Sequence, residues 1–187
     1  MASPQDRDSL KQILKTHSVR FGEFILASGQ KSNVYVDCRL TTLRAEAMPL
    51  IGRLMIAKMR ERGWAPDVVG GLTMGADPVV TAVARESLDS GAAINAFLIR
   101  KEAKKHGRQK FIEGIDEPAG KKVVIVDDVC TTGGSTIKAI EASREAGMDV
   151  LGAICLVDRE QGGREAIEKE HDCPFEHVFL MAELLER

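Results

Sequence analysis

Four β-branched residues in succession, Val123-Val124-Ile125-Val126, run directly into Asp127-Asp128 and then into Val129-Cys130-Thr131-Thr132-Gly133-Gly134-Ser135-Thr136. The apolar run reads as a strand buried on both faces, the form strands take inside a parallel sheet. The hydroxyl- and glycine-rich segment after the aspartates reads as a loop that opens a helix. Its glycines let backbone N–H groups converge on an anion, and a helix N-terminus adds positive potential there. Hydroxyls at Thr131, Thr132, Ser135 and Thr136 supply further donors to phosphate oxygens. Carboxylates at the strand end suit sugar hydroxyls or Mg²⁺. A phosphate cradle beside a diol or metal clamp points to a phosphorylated sugar.

The plainer reading is a solvated Asp-Asp turn followed by an ordinary helix cap. Charge argues against it. Two carboxylates ~4 Å apart repel by roughly 4 kcal/mol at an effective dielectric of ~20, so a partly buried pair needs a cation or donors nearby. The loop also lacks the Gly-Lys-Ser/Thr ending of a nucleotide P-loop, which argues against an NTPase site.

The remaining composition suits one globular domain: 187 residues, 44% hydrophobic and 29% charged. No stretch approaches ~18 consecutive apolar residues, so no membrane span is expected. The polar N-terminus lacks the apolar region of a signal peptide. A net charge of −2 gives no electrostatic case for nucleic acid. The expectation is a cytoplasmic protein whose Cys38, Cys130, Cys155 and Cys173 stay reduced, with Cys155 and Cys130 at buried apolar positions. His171, Cys173 and His177 match no standard zinc spacing.

Periodicity predicts a helix over residues 9–17, short strands over 24–26 and 34–37 with a turn at 28–32, and a helix over 46–62 ended by Gly63. A strand over 67–71, a helix over 77–88 and a strand over 94–99 come next. Residues 100–120 read as a long polar connection without a core of its own. Beyond it come the strand at 123–126, a helix over 134–146, a strand over 150–157, a short helix over 164–170 and a strand over 177–180. Alternation from 46 to 157 predicts a parallel sheet with helices on both faces, whose ligands bind beyond the carboxyl ends of the strands.

Three other segments carry chemistry at such ends. Residues 100–108 hold Arg100, Lys101, Lys104, Lys105, His106 and Arg108. Such a run is usually a solvated loop, but its length without a core suits a lid, and its charge suits a pyrophosphate. Gly70-Gly71-Leu72-Thr73-Met74-Gly75-Ala76-Asp77-Pro78 joins a strand to a helix; its glycines serve tight packing or expose N–H groups to an anion. Arg159, after another strand, either pairs with Asp158 or Glu160 or forks onto a carboxylate ligand.

Residues 123–136 resemble the diphosphoribosyl-binding signature of type I phosphoribosyltransferases. Residues 100–106 resemble the mobile catalytic loop of the family's orotate branch, with its Arg-Lys-x-x-Lys-x-His pattern. Residues 70–78 are similar to the pyrophosphate loop, and residues 21–37 to the hood that covers the base. The resemblance implies an α/β fold with a mostly parallel twisted sheet flanked by helices. It implies a single domain over residues 1–187, with a hood near 1–40 and 160–187 and a core near 41–159. By the same resemblance, Asp127, Asp128, Val129, Cys130, Thr131, Thr132, Gly133, Gly134 and Ser135 bind phosphoribosyl diphosphate, with Mg²⁺ held through the substrate and the two aspartates. Arg100, Lys101, Lys104 and His106 close over the diphosphate, with Lys101 catalytic beside Asp127 and Asp128. Met74 and Gly75 form the pyrophosphate loop, by main-chain contacts only, because some orotate enzymes carry Tyr-Lys there. Tyr35, Val36, Thr131 and Arg159 hold orotate. Ala27 stands where relatives have a lysine, and Lys31 is nearby.

The implied activity is transfer of phosphoribose to orotate, on the route to UMP, by a homodimer sharing active-site loops. A purine phosphoribosyltransferase would share residues 127–136 but not the hood or Arg159. A non-catalytic sensor of phosphoribosyl diphosphate would add a DNA-binding element or basic face, and neither is visible in the sequence.

Overall fold

The computed structural model describes residues 2–25, 31–102 and 111–186. Six strands form the main sheet: β3 (Val68–Leu72), β4 (Asn95–Ile99), β5 (Ile112–Glu113), β6 (Lys122–Cys130), β7 (Asp149–Asp158) and β8 (Phe175–Leu180). Their spatial order is β5-β4-β3-β6-β7-β8, parallel throughout except for β5. Strands β3 and β6, neighbours in space, send the chain in opposite directions across the sheet. That is a topological switch point, and the crevice beyond their carboxyl ends is where such sheets bind ligands.

Helices cover both faces. Helices α3 (Met48–Glu61) and α4 (Ala76–Asp89) bury Ile51, Met55, Val79 and Val83 in one core with Val69, Val124, Val126 and Ile154, and α1 (Pro4–His17) joins that core with Leu10 and Leu14 by packing on α3. On the other face α5 (Gly134–Glu145) sets Ala139 and Ile140 against Val123, Ile125, Ala153 and Cys155. Adjacent residues of β6 thus serve opposite cores, as the two-residue period of a strand requires. Ser3 starts α1 with a capping box, exchanging hydrogen bonds with Asp6.

A separate antiparallel pair, β1 (Val19–Ile25) and β2 (Lys31–Val36), forms a ribbon over the stretch expected for the hood. The turn expected at residues 28–32 falls largely outside the described residues.

Several expectations need correction. Strand β6 does not end at Val126 but runs to Cys130, because β7 continues beside it and pairs Asp127 with Cys155 and Cys130 with Asp158. Both aspartates therefore lie inside a strand. The connection at residues 100–120 does carry core: β5 pairs with β4, and Ile112 and Ile115 pack on the sheet's second core. Part of the span 160–187 expected for the hood belongs to the main sheet, since β8 is its edge strand beside β7. The short helix over 164–170 is α6 (Gly163–Glu165) running into a π-helical turn, Ala166–Glu170. Two short helices, α2 (Arg39–Thr42) and α7 (Met181–Leu185), are additional. Among the described residues no helix is long and apolar enough to cross a membrane.

Candidate active site

At the carboxyl end of β6, Asp127 is buried and Asp128 half-buried. One Asp127 oxygen accepts the Asp128 N–H at 3.0 Å, and the other accepts the Thr136 hydroxyl at 3.2 Å. Asp128 Oδ1 accepts the Val129 N–H at 2.9 Å. Burial and the Asp128 charge push the Asp127 carboxyl well above the usual range; the hydrogen bonds it accepts oppose this. Burial raises Asp128 too, against the Val129 N–H and the Arg39 charge. Both carboxyls are thus harder to ionise than ordinary ones, and a cation or a set of hydroxyl donors beside them would favour their charged forms.

The loop after β6 is fastened by backbone. Cys130 O accepts the Arg159 N–H at 2.9 Å, and Thr131 O accepts the Gly163 N–H at 3.1 Å. Gly133 takes φ +83°, where a glycine is at ease, and begins α5 without any side-chain cap. The first-turn N–H groups of that twelve-residue helix are thus left for a ligand. Thr131, Thr132, Gly133, Gly134, Ser135, Asp127, Val129 and Lys101 line a cleft of about 400 Å³ around them.

A second chamber lies on the hood side of the aspartates. Tyr35, Val36, Arg39, Thr73, Met74, Gly75, Lys101, Asp127 and Asp128 are among its lining residues. Here Gly75 has a reason the sequence did not supply: a Cβ on it would stand 2.4 Å from Asp128 Oδ1. Gly70 and Gly71 answer to packing instead, against the Phe97 ring and against Val126 O and Ala76. Met74 is exposed at the rim.

The structure brings Asp127, Asp128, Lys101, the phosphate loop, Met74, Gly75, Tyr35 and Val36 to this one crevice. Lys104 and His106 lie outside the described residues, as does Ala27. Arg100 turns toward Glu113 on β5, at 3.5 Å, and lines neither chamber. Arg159 stands just past β7, lining neither chamber, and forms no ion pair with Asp158 or Glu160 among the described residues. Its Nε is buried without a hydrogen-bond partner there. His177 Nδ1 faces Arg164 at 3.0 Å, while His171 lies 3.6 Å from Glu141. Burial raises the Cys155 thiol far above its ordinary range, so it stays protonated beside Cys130.

Sequence reasoning missed three participants. Gly163 packs its Cα on the loop, where a Cβ would meet Cys130 Sγ at 2.4 Å and Thr131 O at 2.8 Å. Asp37 and Arg39 pair on the hood side of the second chamber. Nothing in the sequence around Gly162 and Gly163 signals the Gly163 contact with the loop.

An uncapped helix start at the switch point of an α/β sheet suits a phosphorylated ligand. The phosphoribosyl transferase domain model matches residues 41–179, and the chain belongs to the phosphoribosyltransferase family. Orotate members of that family are similar to it over nearly the whole length. The orotate phosphoribosyltransferase of Aquifex aeolicus is 43% identical over 183 residues, 96% of this chain and 98% of that protein. A solved Mycobacterium tuberculosis orotate phosphoribosyltransferase in complex with Fe(III) dicitrate superposes with a TM-score of 0.85 at 41% identity, covering 97% of this chain and 99% of the other. The same organism's enzyme in complex with 5-phospho-α-D-ribosyl 1-diphosphate gives 0.81 at 37% identity, covering 96% and 98%.

Proposed function

We infer that the chain transfers the 5-phosphoribosyl group from phosphoribosyl diphosphate to orotate, giving orotidine 5-monophosphate and pyrophosphate, as a cytoplasmic enzyme of UMP synthesis. The observation that carries this reading is the uncapped start of α5 beside the buried Asp127–Asp128 pair. In it, Thr131, Thr132, Gly133, Gly134 and Ser135 receive the 5-phosphate, and the aspartates hold the ribose hydroxyls. A ring nitrogen of orotate bonds to the anomeric carbon as the bond to the diphosphate oxygen breaks; the electron pair leaves with pyrophosphate, and the proton of that nitrogen passes to the departing pyrophosphate or to water. Positive charge develops on the ribose, as in glycoside cleavage, and negative charge on the leaving group. Lys101, joined by Arg100, Lys104 and His106 on loop closure, stabilises the leaving group and excludes water.

The aspartate pair fits Mg²⁺, which prefers one or two carboxylates together with substrate oxygens and water. Among the described residues no group of three His, Cys, Asp or Glu side chains makes a metal-sized cage, so substrate oxygens would complete the shell. When bound, the dication supplies charge neutralisation on the diphosphate.

Arg159 reads the orotate carboxylate, and the buried Nε without a partner supports this role, since an unpaired buried donor costs about 1–3 kcal/mol until an acceptor arrives. Tyr35 and Val36 cover the base. The domain is single, with residues 1–40 and the non-strand parts of 160–187 as hood, and the enzyme works as a homodimer whose closing loops serve neighbouring sites.

The test is ultraviolet absorbance of orotate, with and without donor and Mg²⁺, in the wild type and in Arg159→Ala. Orotate loss should require both additions. The variant should raise KM for orotate by about 10-fold or more, the worth of a charge-assisted bond, and leave KM for the donor within about twofold. Consumption of a purine base in place of orotate would move the assignment to that branch of the family.

A further inference from the structure

The second chamber has an unusual charge balance. Its described lining holds three carboxylates, Asp37, Asp127 and Asp128, and two cations, Lys101 and Arg39. The strand-to-helix loop that closes it contributes Met74, which brings no charge. A diphosphate carrying several negative charges enters such a space only where fixed cations face it.

Arg39 opens α2, immediately after the hood ribbon. Its Nε and Nη2 donate to the two Asp37 oxygens, each at 2.8 Å, and its backbone N–H donates to Asp37 Oδ1 at 3.1 Å. Such a two-pronged fork fixes the guanidinium plane. No acceptor for Nη1 is found among the described residues, and the side chain, about half exposed, lines the chamber. The Arg39 charge also reaches Asp128 across the chamber. An arginine whose only task was a surface pair with Asp37 would gain ~0–1 kcal/mol and would need no place in the wall of a ligand chamber.

We propose that Arg39 is a diphosphate-binding residue, oriented by Asp37 so that its Nη1 edge receives a phosphoryl oxygen of the donor's diphosphate and of released pyrophosphate, facing Lys101. This rests on the phosphoribosyl transfer reading, and it assigns to Arg39 and Asp37 a task that the sequence motifs leave empty. The guanidinium suits this task better than an ammonium because one edge stays locked on Asp37 while an outward N–H still faces the ligand. Asp37 serves as a positioning residue: it holds the fork, and it leaves the outward N–H groups for the ligand.

Calorimetric titration of inorganic pyrophosphate with Mg²⁺ separates this idea from the identity of the base. Arg39→Ala should weaken pyrophosphate binding by about 10-fold or more, as loss of a charge-assisted hydrogen bond implies, with Arg39→Lys partly restored. Asp37→Asn should give an intermediate loss. In turnover assays Arg39→Ala should raise KM for the donor while KM for orotate stays within about twofold. Pyrophosphate binding by Arg39→Ala within about twofold of the wild type overturns the proposal, as does an equal rise in both KM values. Arg39→Gln gives the same readout should the alanine variant fold poorly. A wild type that consumes no orotate yet binds pyrophosphate through Arg39 would sink the orotate reading and uphold this site.

Discussion

The phosphate-loop wall of the crevice is backbone held by backbone, whereas the hood wall is a two-stranded ribbon that sends side chains toward solvent. On the first wall, strand β6, the loop and α6 are tied by the N–H groups of Arg159 and Gly163, and Gly163 leaves no room for a side chain. On the second, β1 and β2 pair only with each other, and Phe21, Ile25 and Tyr35 are 72%, 78% and 41% exposed. A phosphate has one shape, so its site can be fixed in the main chain before the ligand arrives. A base and a diphosphate that come and go call for side chains able to adjust. The hood wall provides one in the half-exposed Tyr35, and the Asp37–Arg39 fork adds a charge held in place beside it.

Lys101 borders both chambers, so removing it should produce the largest effect. Lys101→Ala should lower kcat by about 10²–10³-fold, the usual loss for one donor aimed at developing charge. The Lys101 side chain is exposed, so thermal unfolding should move little. Steady-state kinetics beside a melting curve checks both halves. Wild-type turnover would mean that leaving-group stabilisation resides wholly on one wall.

Gly163→Ala should strike the loop wall alone. The added methyl group meets Cys130 Sγ, Thr131 O and the Gly133 nitrogen, and the latter two are backbone that cannot swing aside. A loss of about 1–3 kcal/mol of stability is expected, as for overpacking elsewhere. KM for the donor should rise while KM for orotate changes less. Denaturant unfolding and paired KM measurements decide it. Equal effects on both substrates would mean the two walls are mechanically one unit.

Sequence alone disclosed the strand-loop-helix unit because its parts are local: a β-branched run, a carboxylate pair and glycines within 14 residues. The alternation of strands and helices was equally legible, since buried residues recur at the periods of each element. What stayed hidden depends on partners distant in sequence. Strand β6 extends past Val126 because β7 lies beside it, and nothing in Asp127-Asp128 announces a strand. Gly75 reads as a glycine for a helix start, while its use is to admit the Asp128 carboxylate. Arg39 belongs to no motif, and its place in the chamber wall follows from the fold alone. Strand β8 was expected in part, but its place in the main sheet is a matter of topology that periodicity does not encode.

The smallest effect, and the most direct probe of how the loop wall stores its cost, concerns Asp127. Its carboxyl is raised in the folded protein by burial and by Asp128, above the ~3.9 of an unfolded chain. The native state therefore binds that proton more tightly than the unfolded state does. Stability from this group is intact at low pH and falls as pH rises through the raised value, so at neutral pH the ligand-free protein carries an ionisation penalty. Asp127→Asn keeps the shape, and its amide oxygen can still accept a hydrogen bond from the Asp128 N–H or Thr136. In the ligand-free protein the variant should be more stable than the wild type by about 1–2 kcal/mol near pH 8, with the gain shrinking toward pH 4. Donor binding should weaken at the same time. Melting temperatures of both proteins across that pH range test the sign directly. A variant less stable than the wild type at every pH would show that the hydrogen bonds to Asp127 outweigh its burial, and that the loop wall carries no such penalty.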